Sequence, residues 1–188
     1  MMNDRRIWIG ITVVVVAIGI LWAIRYANTG GVNRNATQAP VVGTAQQGQK
    51  APEFAAATNK GYFDLAKATK PVFLEVFATW CPHCQRETAI IDKLYAQYKD
   101  RVDFVAVSGH QTGMDGQTPS SPQDVLNYVQ RFNAQYPVAY DGSLDVAHKY
   151  LQGGFPTLAV IDRGKTITYL SSGETTYAEL NDAIKSAL

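Results

Sequence analysis

Residues 72–84 read VFLEVFATWCPHC. The first six residues of this stretch, Val72–Phe77, are a short apolar run of β-branched and aromatic side chains, the pattern of a buried strand. Its last four place two cysteines two residues apart at the mouth of a helix. Pro82 suits the first helical position, where its missing N–H costs nothing. Cys81 is then the N-cap, and this spacing brings the two sulfurs within bonding reach. Free N–H groups and the helix dipole favour a thiolate on Cys81. Motifs of this type lower a thiol pKa below its usual value of about 8.5. Cys84 lies one turn in, more buried, placed to resolve a mixed disulfide. The expected chemistry is a cycle between dithiol and disulfide.

Two other readings of the pair stand beside it. A CxxC can be half of a metal site. The remaining soft ligands are His83, His110, His148 and three methionines, and His83, between the cysteines, is poorly placed to share their metal. A purely structural disulfide closing so short a loop stabilises little. With only two cysteines in 188 residues, a disulfide-dense scaffold and a four-cysteine zinc site are excluded.

Glu75 breaks the apolar pattern of its strand. A carboxylate in the middle of VFLEVF is a local conflict, because burying a charge is costly. Burial there raises a carboxyl pKa toward the range useful for proton transfer near neutrality. His83 is a second candidate: an imidazole beside Cys81 can stabilise the thiolate and make the pair more oxidising. His110 and His148 read as ordinary polar residues.

Working outward, a helix is expected from Cys81 to about Tyr98, with Ile91, Tyr95 and Tyr98 on one face. A strand follows over 102–107, then a polar, Gly-rich loop over 108–121. Ser121 and Pro122 open a helix over 122–135. A brief strand covers 138–140 and a short helix 144–150, ending before Gly153 and Gly154. Strands over 157–161 and 166–170 form a hairpin across Asp162-Arg163-Gly164-Lys165. A last helix spans 177–187. This alternation predicts an α/β fold with a central mixed β-sheet flanked by helices.

The N-terminal third has a different character. Residues 7–24 form an uninterrupted uncharged run, IWIGITVVVVAIGILWAI, with Arg5, Arg6 and Arg25 at its ends. Eighteen residues reach about 27 Å at about 1.5 Å each, close to a hydrocarbon core of about 30 Å. Trp8 and Trp22 sit where interfacial rings are favoured. A cleaved signal peptide is the rival. Its best cleavage site, Thr37-Gln38-Ala39, is far from the run and is followed by Pro40, so a retained transmembrane helix is expected. Residues 26–50 are polar and aperiodic, read as a flexible linker. Residues 51–188 hold 12 Lys+Arg against 15 Asp+Glu, and residues 1–50 hold 5 against 1. The body is mildly acidic, and the formal charge of +1 excludes a strongly basic nucleic-acid footprint.

Residues 51–188 resemble the thioredoxin superfamily, and within it the membrane-anchored TlpA/ResA-like thiol–disulfide oxidoreductases. The matching residues are Ala51-Pro52-Glu53-Phe54, the run Phe77-Ala78-Thr79-Trp80-Cys81-Pro82-His83-Cys84 with Glu87 following, and Phe155-Pro156-Thr157. The resemblance implies a thioredoxin fold and a cis proline at Pro156 facing the cysteines. It implies that Phe155 offers its backbone to a substrate strand, and that Glu75 is the buried acid that moves the Cys84 proton. It also implies a transmembrane redox partner that recharges the pair. The Pro-His dipeptide is shared with DsbA-like oxidases, whose separate all-helical domain has no counterpart here. Family helices usually carry a proline at the position of Ala89. The peroxidatic cysteine of the peroxiredoxins is missing.

The expected layout is a membrane anchor over 1–25, a linker over 26–50 and a thioredoxin-like redox domain over 51–188. The expected protein is tethered by residues 7–24 to the cytoplasmic membrane, its domain on the periplasmic or extracytoplasmic side. It exchanges disulfides with exported cysteine-containing proteins through Cys81, Cys84, Glu75 and Pro156. Trp80, Pro82, His83 and Phe155 shape the contact surface or tune the pair. The reductive direction is preferred, as in cytochrome c maturation. The alternatives are a disulfide-forming oxidase of the same fold and, from a different class, a thioredoxin-fold chaperone or metallochaperone. No metal, no nucleic acid and no cofactor beyond the Cys81–Cys84 pair is expected.

Overall fold

All six side chains of Val72–Phe77 are buried, and the chain is arranged to cover them from both sides. The computed structural model describes residues 43–188. The expected anchor over 1–25 and the first part of the expected linker lie outside the described residues.

Among the described residues the strands are β1 (Ala55–Thr58), β2 (Gly61–Asp64), β3 (Val72–Phe77), β4 (Asp103–Ser108), β5 (Val138–Tyr140), β6 (Thr157–Ile161) and β7 (Ile167–Ser172). The helices are α1 (Pro82–Tyr98), α2 (Pro122–Phe132), α3 (Asp145–Tyr150) and α4 (Tyr177–Ala187), with a single 3-10 turn at Leu65–Lys67. The strands form one mixed sheet in the order β2-β1-β5-β4-β3-β6-β7. β3 runs parallel to β4 and antiparallel to β6, so its backbone is paired along both edges. β4 runs parallel to β5, and β6 turns back into β7.

Period-two alternation sends Phe73, Glu75 and Phe77 to one face and Val72, Leu74 and Val76 to the other. The first face packs against α1, α2 and α4 through Cys84, Ile91, Leu94, Tyr128, Leu180 and Ile184. The second packs against α3 through Val146, Ala147 and Tyr150, with Phe54 and Leu65 beside them. Truncating one such large core side chain costs about 2–5 kcal/mol. The two layers therefore hold β3, and the helix mouth that follows it, in place.

Local chemistry sets the element ends. Ser121 caps α2 in a reciprocal capping box with Asp124, and Pro122 follows at the first turn. Asn133 ends α2 in the left-handed region (φ 54°), so the helix stops at Phe132, short of the expected residue 135. α1 runs unbroken through Ala89. The strand expected over 102–107 lies one residue later, and β7 extends to Ser172 rather than 170.

The N-terminal hairpin of β1 and β2 has no sequence expectation behind it. Ala55-Ala56-Ala57-Thr58 carries neither alternation nor strong strand propensity. Tertiary pairing supplies what propensity lacks: Thr58 lies opposite Ala139 of β5, and Asn59 N–H donates to Val138 O at 2.9 Å.

Residues 43–50, expected as the end of a flexible linker, pack on the domain instead. Gly43 N–H donates to Leu151 O at 2.5 Å, Ala45 N–H to Lys149 O at 2.8 Å and Gly48 N–H to Ile167 O at 2.8 Å. Ala45 is buried in the core layer of α3. Composition misled here because the anchoring is by backbone, which polar small residues provide as well as any. A Cβ on Gly43 would run into the Lys149 carbonyl. Gly43→Ala is accordingly expected to lower stability by about 1–3 kcal/mol, read as a fall in the urea midpoint at unchanged m-value. An unchanged midpoint would show that the segment is not held.

Candidate active site

β3 ends at Phe77, and the turn through Trp80 hands the chain to α1. Cys81 stands at the N-cap (φ −75°, ψ 119°) with no side-chain cap bond, and Pro82 opens the helix. Its sulfur therefore faces the unpaired N–H groups of the first turn. Both cysteines are free thiols, Cys81 4% and Cys84 0% exposed. The helix makes them unequal. A hydrogen bond from the Cys84 thiol pulls the Cys81 pKa down to about 6. Burial works against this, while the N–H groups of Cys84 and His83 and the charge of His83 add to it. Cys84 is pushed strongly upward, first by burial, then by its bond to Cys81 and by Glu75. One sulfur is a nucleophile at neutral pH and the other holds its proton.

Beneath Cys84 lies Glu75, 1% exposed. Burial raises its pKa well above the ordinary carboxylate range, and the nearby Glu87 carboxylate adds to the rise. The Tyr136 hydroxyl opposes it. That hydroxyl lies 3.4 Å from Glu75 Oε2 and 3.5 Å from Thr88 Oγ1, able to donate to one at a time. Glu75 Oε1 has no hydrogen-bond partner. The Cys84 carbonyl lies 3.0 Å from the Tyr128 hydroxyl and 3.1 Å from Thr88 Oγ1, and with one proton on each hydroxyl, one donates to the carbonyl while the other donates to its neighbour. Tyr128 and Thr88 also meet at 2.7 Å. A polar seam thus runs from Glu75 to the backbone of the second cysteine. Glu87, also buried, is pushed up to about 7 by burial, against one bond from Thr175 N–H.

Above the cysteines the Phe155–Pro156 peptide bond is cis. The Phe155 carbonyl lies 3.7 Å from Cys81 Sγ, within reach of the thiol. Trp80 and Phe155 meet edge to face, with centroids 6.3 Å apart. His110 completes this wall: its Nδ1 accepts from Trp80 Nε1 at 3.1 Å and from Thr112 N–H at 3.0 Å. Both bonds require the neutral ring with its proton on Nε2. Burial favours that state by lowering the His110 pKa.

His83 is exposed on the outer side of α1, where its Nδ1 lies 2.8 Å from Glu174 Oε2. Cys81, Cys84, Glu75, Trp80, Phe155 and Pro156 thus converge, with Pro82 and His83 at the helix mouth. Sequence reading missed His110, Thr88, Tyr128, Tyr136 and Glu174. His110 had a usable signal: parallel β3 and β4 put Ser108 opposite Phe77, so the residues after β4 share a rim with those after β3. The others have none, because their roles rest on pairings across 40 or more residues. Among the described residues no three His, Cys, Asp or Glu side chains are grouped to hold a metal ion.

The chain is similar to known proteins over most of the described residues. A family model described as Redoxin matches residues 46–184. The thiol-disulfide oxidoreductase ResA of Bacillus thuringiensis (strain Al Hakam) is 29% identical over 143 residues, covering 74% of this chain and 78% of that one. A Chlorobium tepidum structure, provisionally described as a thiol:disulfide interchange protein DsbE, aligns with TM-score 0.65 and 25% identity. It covers 76% of this chain and 97% of that one. StoA from Bacillus subtilis aligns at TM-score 0.59 and 19% identity over 70% of this chain and 96% of its own, a likeness of fold.

The unequal thiols give a direct expectation. The thiolate is the reactive species, so alkylation of Cys81 should rise with pH, reach half its plateau near pH 6 and stay flat above about pH 7. Cys84 should remain unlabelled across that range. A midpoint near the free-thiol value of about 8.5 would remove the case for a stabilised Cys81 thiolate.

Proposed function

Because this chain belongs to the Redoxin family and is a TlpA/ResA-like protein thiol–disulfide oxidoreductase of thioredoxin fold, we propose that it works as a reductase of disulfides in exported proteins, tethered to the cytoplasmic membrane by residues 7–24. The Cys81 thiolate attacks one sulfur of a substrate disulfide. The substrate S–S bond breaks, a mixed disulfide forms, and the departing substrate sulfur leaves as a thiolate that takes a proton from solvent. Cys84 then attacks Cys81 Sγ and expels the second substrate sulfur. The Cys84 proton must leave as it attacks. Glu75, whose burial strengthens its hold on a proton, is the base placed to take it and return it to the departing thiolate. The substrate gains two electrons and two protons, and Cys81–Cys84 ends as a disulfide.

Trp80, His110 and Phe155 form the wall against which the substrate strand lies, and the Phe155 carbonyl is within reach of it. The domain faces the extracytoplasmic side, and a transmembrane partner returns the electrons. No cofactor beyond the cysteine pair takes part. Support for the tether comes from the uncharged run over 7–24.

The observation that carries the reductive direction is the modest stabilisation of Cys81. Its pKa near 6 lies closer to the thioredoxin value of about 7 than to the DsbA value of about 3.5. A thiolate stabilised less makes the disulfide a weaker oxidant. The Pro82-His83 dipeptide favours a second reading, an oxidase that donates its disulfide. Equilibration against a redox buffer separates them. A potential of about −270 mV is expected for the reductase, whereas a potential of about −120 mV would make the pair a disulfide donor.

A further inference from the structure

One carboxylate ties together two basic side chains beside the active-site helix. Glu174, in the turn between β7 and α4, places Oε1 2.6 Å from Arg86 Nε and Oε2 2.9 Å from the Arg86 terminal nitrogen Nη2. This is the two-pronged geometry that fixes a guanidinium in direction as well as distance. The same Oε2 lies 2.8 Å from His83 Nδ1, and Arg86 Nη2 lies 2.9 Å from that nitrogen. His83 is a residue of the CPHC motif, and Arg86 follows it one turn later. The contact joins the start of α1 to a turn 88 residues away from Arg86.

The position of these groups gives the carboxylate a role. Cys81 feels the charge of His83, and Arg86 is near enough for its own titration to feel Cys81. Arg86 is charged at every relevant pH. Unopposed, that charge would stabilise the Cys81 thiolate and make the disulfide more oxidising. Glu174 is ionised, its pKa held down to about 2 by Arg86 first and His83 second. Other groups facing Cys81 are Cys84 of α1, Glu75 of β3 and Tyr128 of α2, all buried and none a permanent charge. The Glu174 carboxylate is thus the permanent negative charge set against Arg86.

Resting on the thiol–disulfide reading above, we infer that Glu174 is a positioning residue that damps the positive field of Arg86 and His83 at Cys81, holding the Cys81–Cys84 pair at a more reducing potential than its Pro-His dipeptide would set. The loop after β7 thereby counteracts the feature of the motif that points toward an oxidase.

The test uses the full chain, equilibrated in glutathione redox buffers, with the dithiol fraction read by alkylation. Glu174→Gln keeps the side-chain length and removes the charge. It is expected to shift the equilibrium toward the dithiol by at least twofold, equivalent to about 9 mV at about 29.6 mV per decade. All three groups are at least one-third exposed, so this shift should fall below twofold in about 1 M salt, where the screening length is about 3 Å. Glu174→Asp keeps the charge and should move the equilibrium less than Glu174→Gln does. A shift below twofold at low salt, a shift toward the disulfide, a shift that survives high salt, or an equal shift in Glu174→Asp each overturns the inference. The potential of the native chain tests the reductase reading. The difference between native chain and variant tests Glu174 at any native value, so the two can fail separately.

Discussion

The carboxyl of Glu75 is buried in a strand paired along both edges and covered on both faces, with no basic side chain against it. The buried layer of the site is built around covering that group. The helices that bury it also bury Cys84, and they do so with hydroxyls rather than cations. Without a counter-charge, both acids keep their protons more tightly than they would in water. The burial that makes Glu75 costly is therefore also what makes it a usable base for a thiol. The Tyr136, Thr88 and Tyr128 hydroxyls keep the cost bounded by giving the seam partial hydrogen bonding, although Glu75 Oε1 is left without a partner.

One helical turn converts this buried layer into directed chemistry. Cys81, at the N-cap, meets the free N–H groups and the edge of solvent, whereas Cys84, three residues on, meets only the core. The difference in proton affinity suits Cys81 to attack first and Cys84 to resolve. The aromatic wall of Trp80, His110 and Phe155 stands beside the Cys81 sulfur. On the other side of the helix, the Arg86–Glu174 pair sets the local field. Reactivity is fixed from below by burial and adjusted from outside by exposed charge, and the two act through separate parts of the structure.

Much of this was readable in the chain. VFLEVF identified the central strand because only a strand buried on both faces tolerates continuous apolar residues. Glu75 stood out as the break in that rule. CPHC announced its own helix mouth, and Ser121-Pro122 announced another. The cis state of Pro156 followed from resemblance, since nothing in the local composition requires it. What could not be read was whatever depends on distant partners. Ala55–Ala57 forms a strand only because β5 is there to pair with its hairpin. Gly43–Lys50 looks like a linker because its anchoring uses backbone atoms. Tyr128 and Tyr136 read as ordinary core aromatics, and their hydroxyls matter only once the fold brings them to Glu75 and Cys84.

Glu75 is a buried acid whose proton affinity is raised beside Cys84. The direct measurement is the titration of the Glu75 side-chain carboxyl by carbon-detected NMR in the dithiol form, with the signal assigned by its loss in Glu75→Gln. A midpoint displaced well upward from that of exposed glutamates is expected. A midpoint in the ordinary range, near about 4.3, would contradict it.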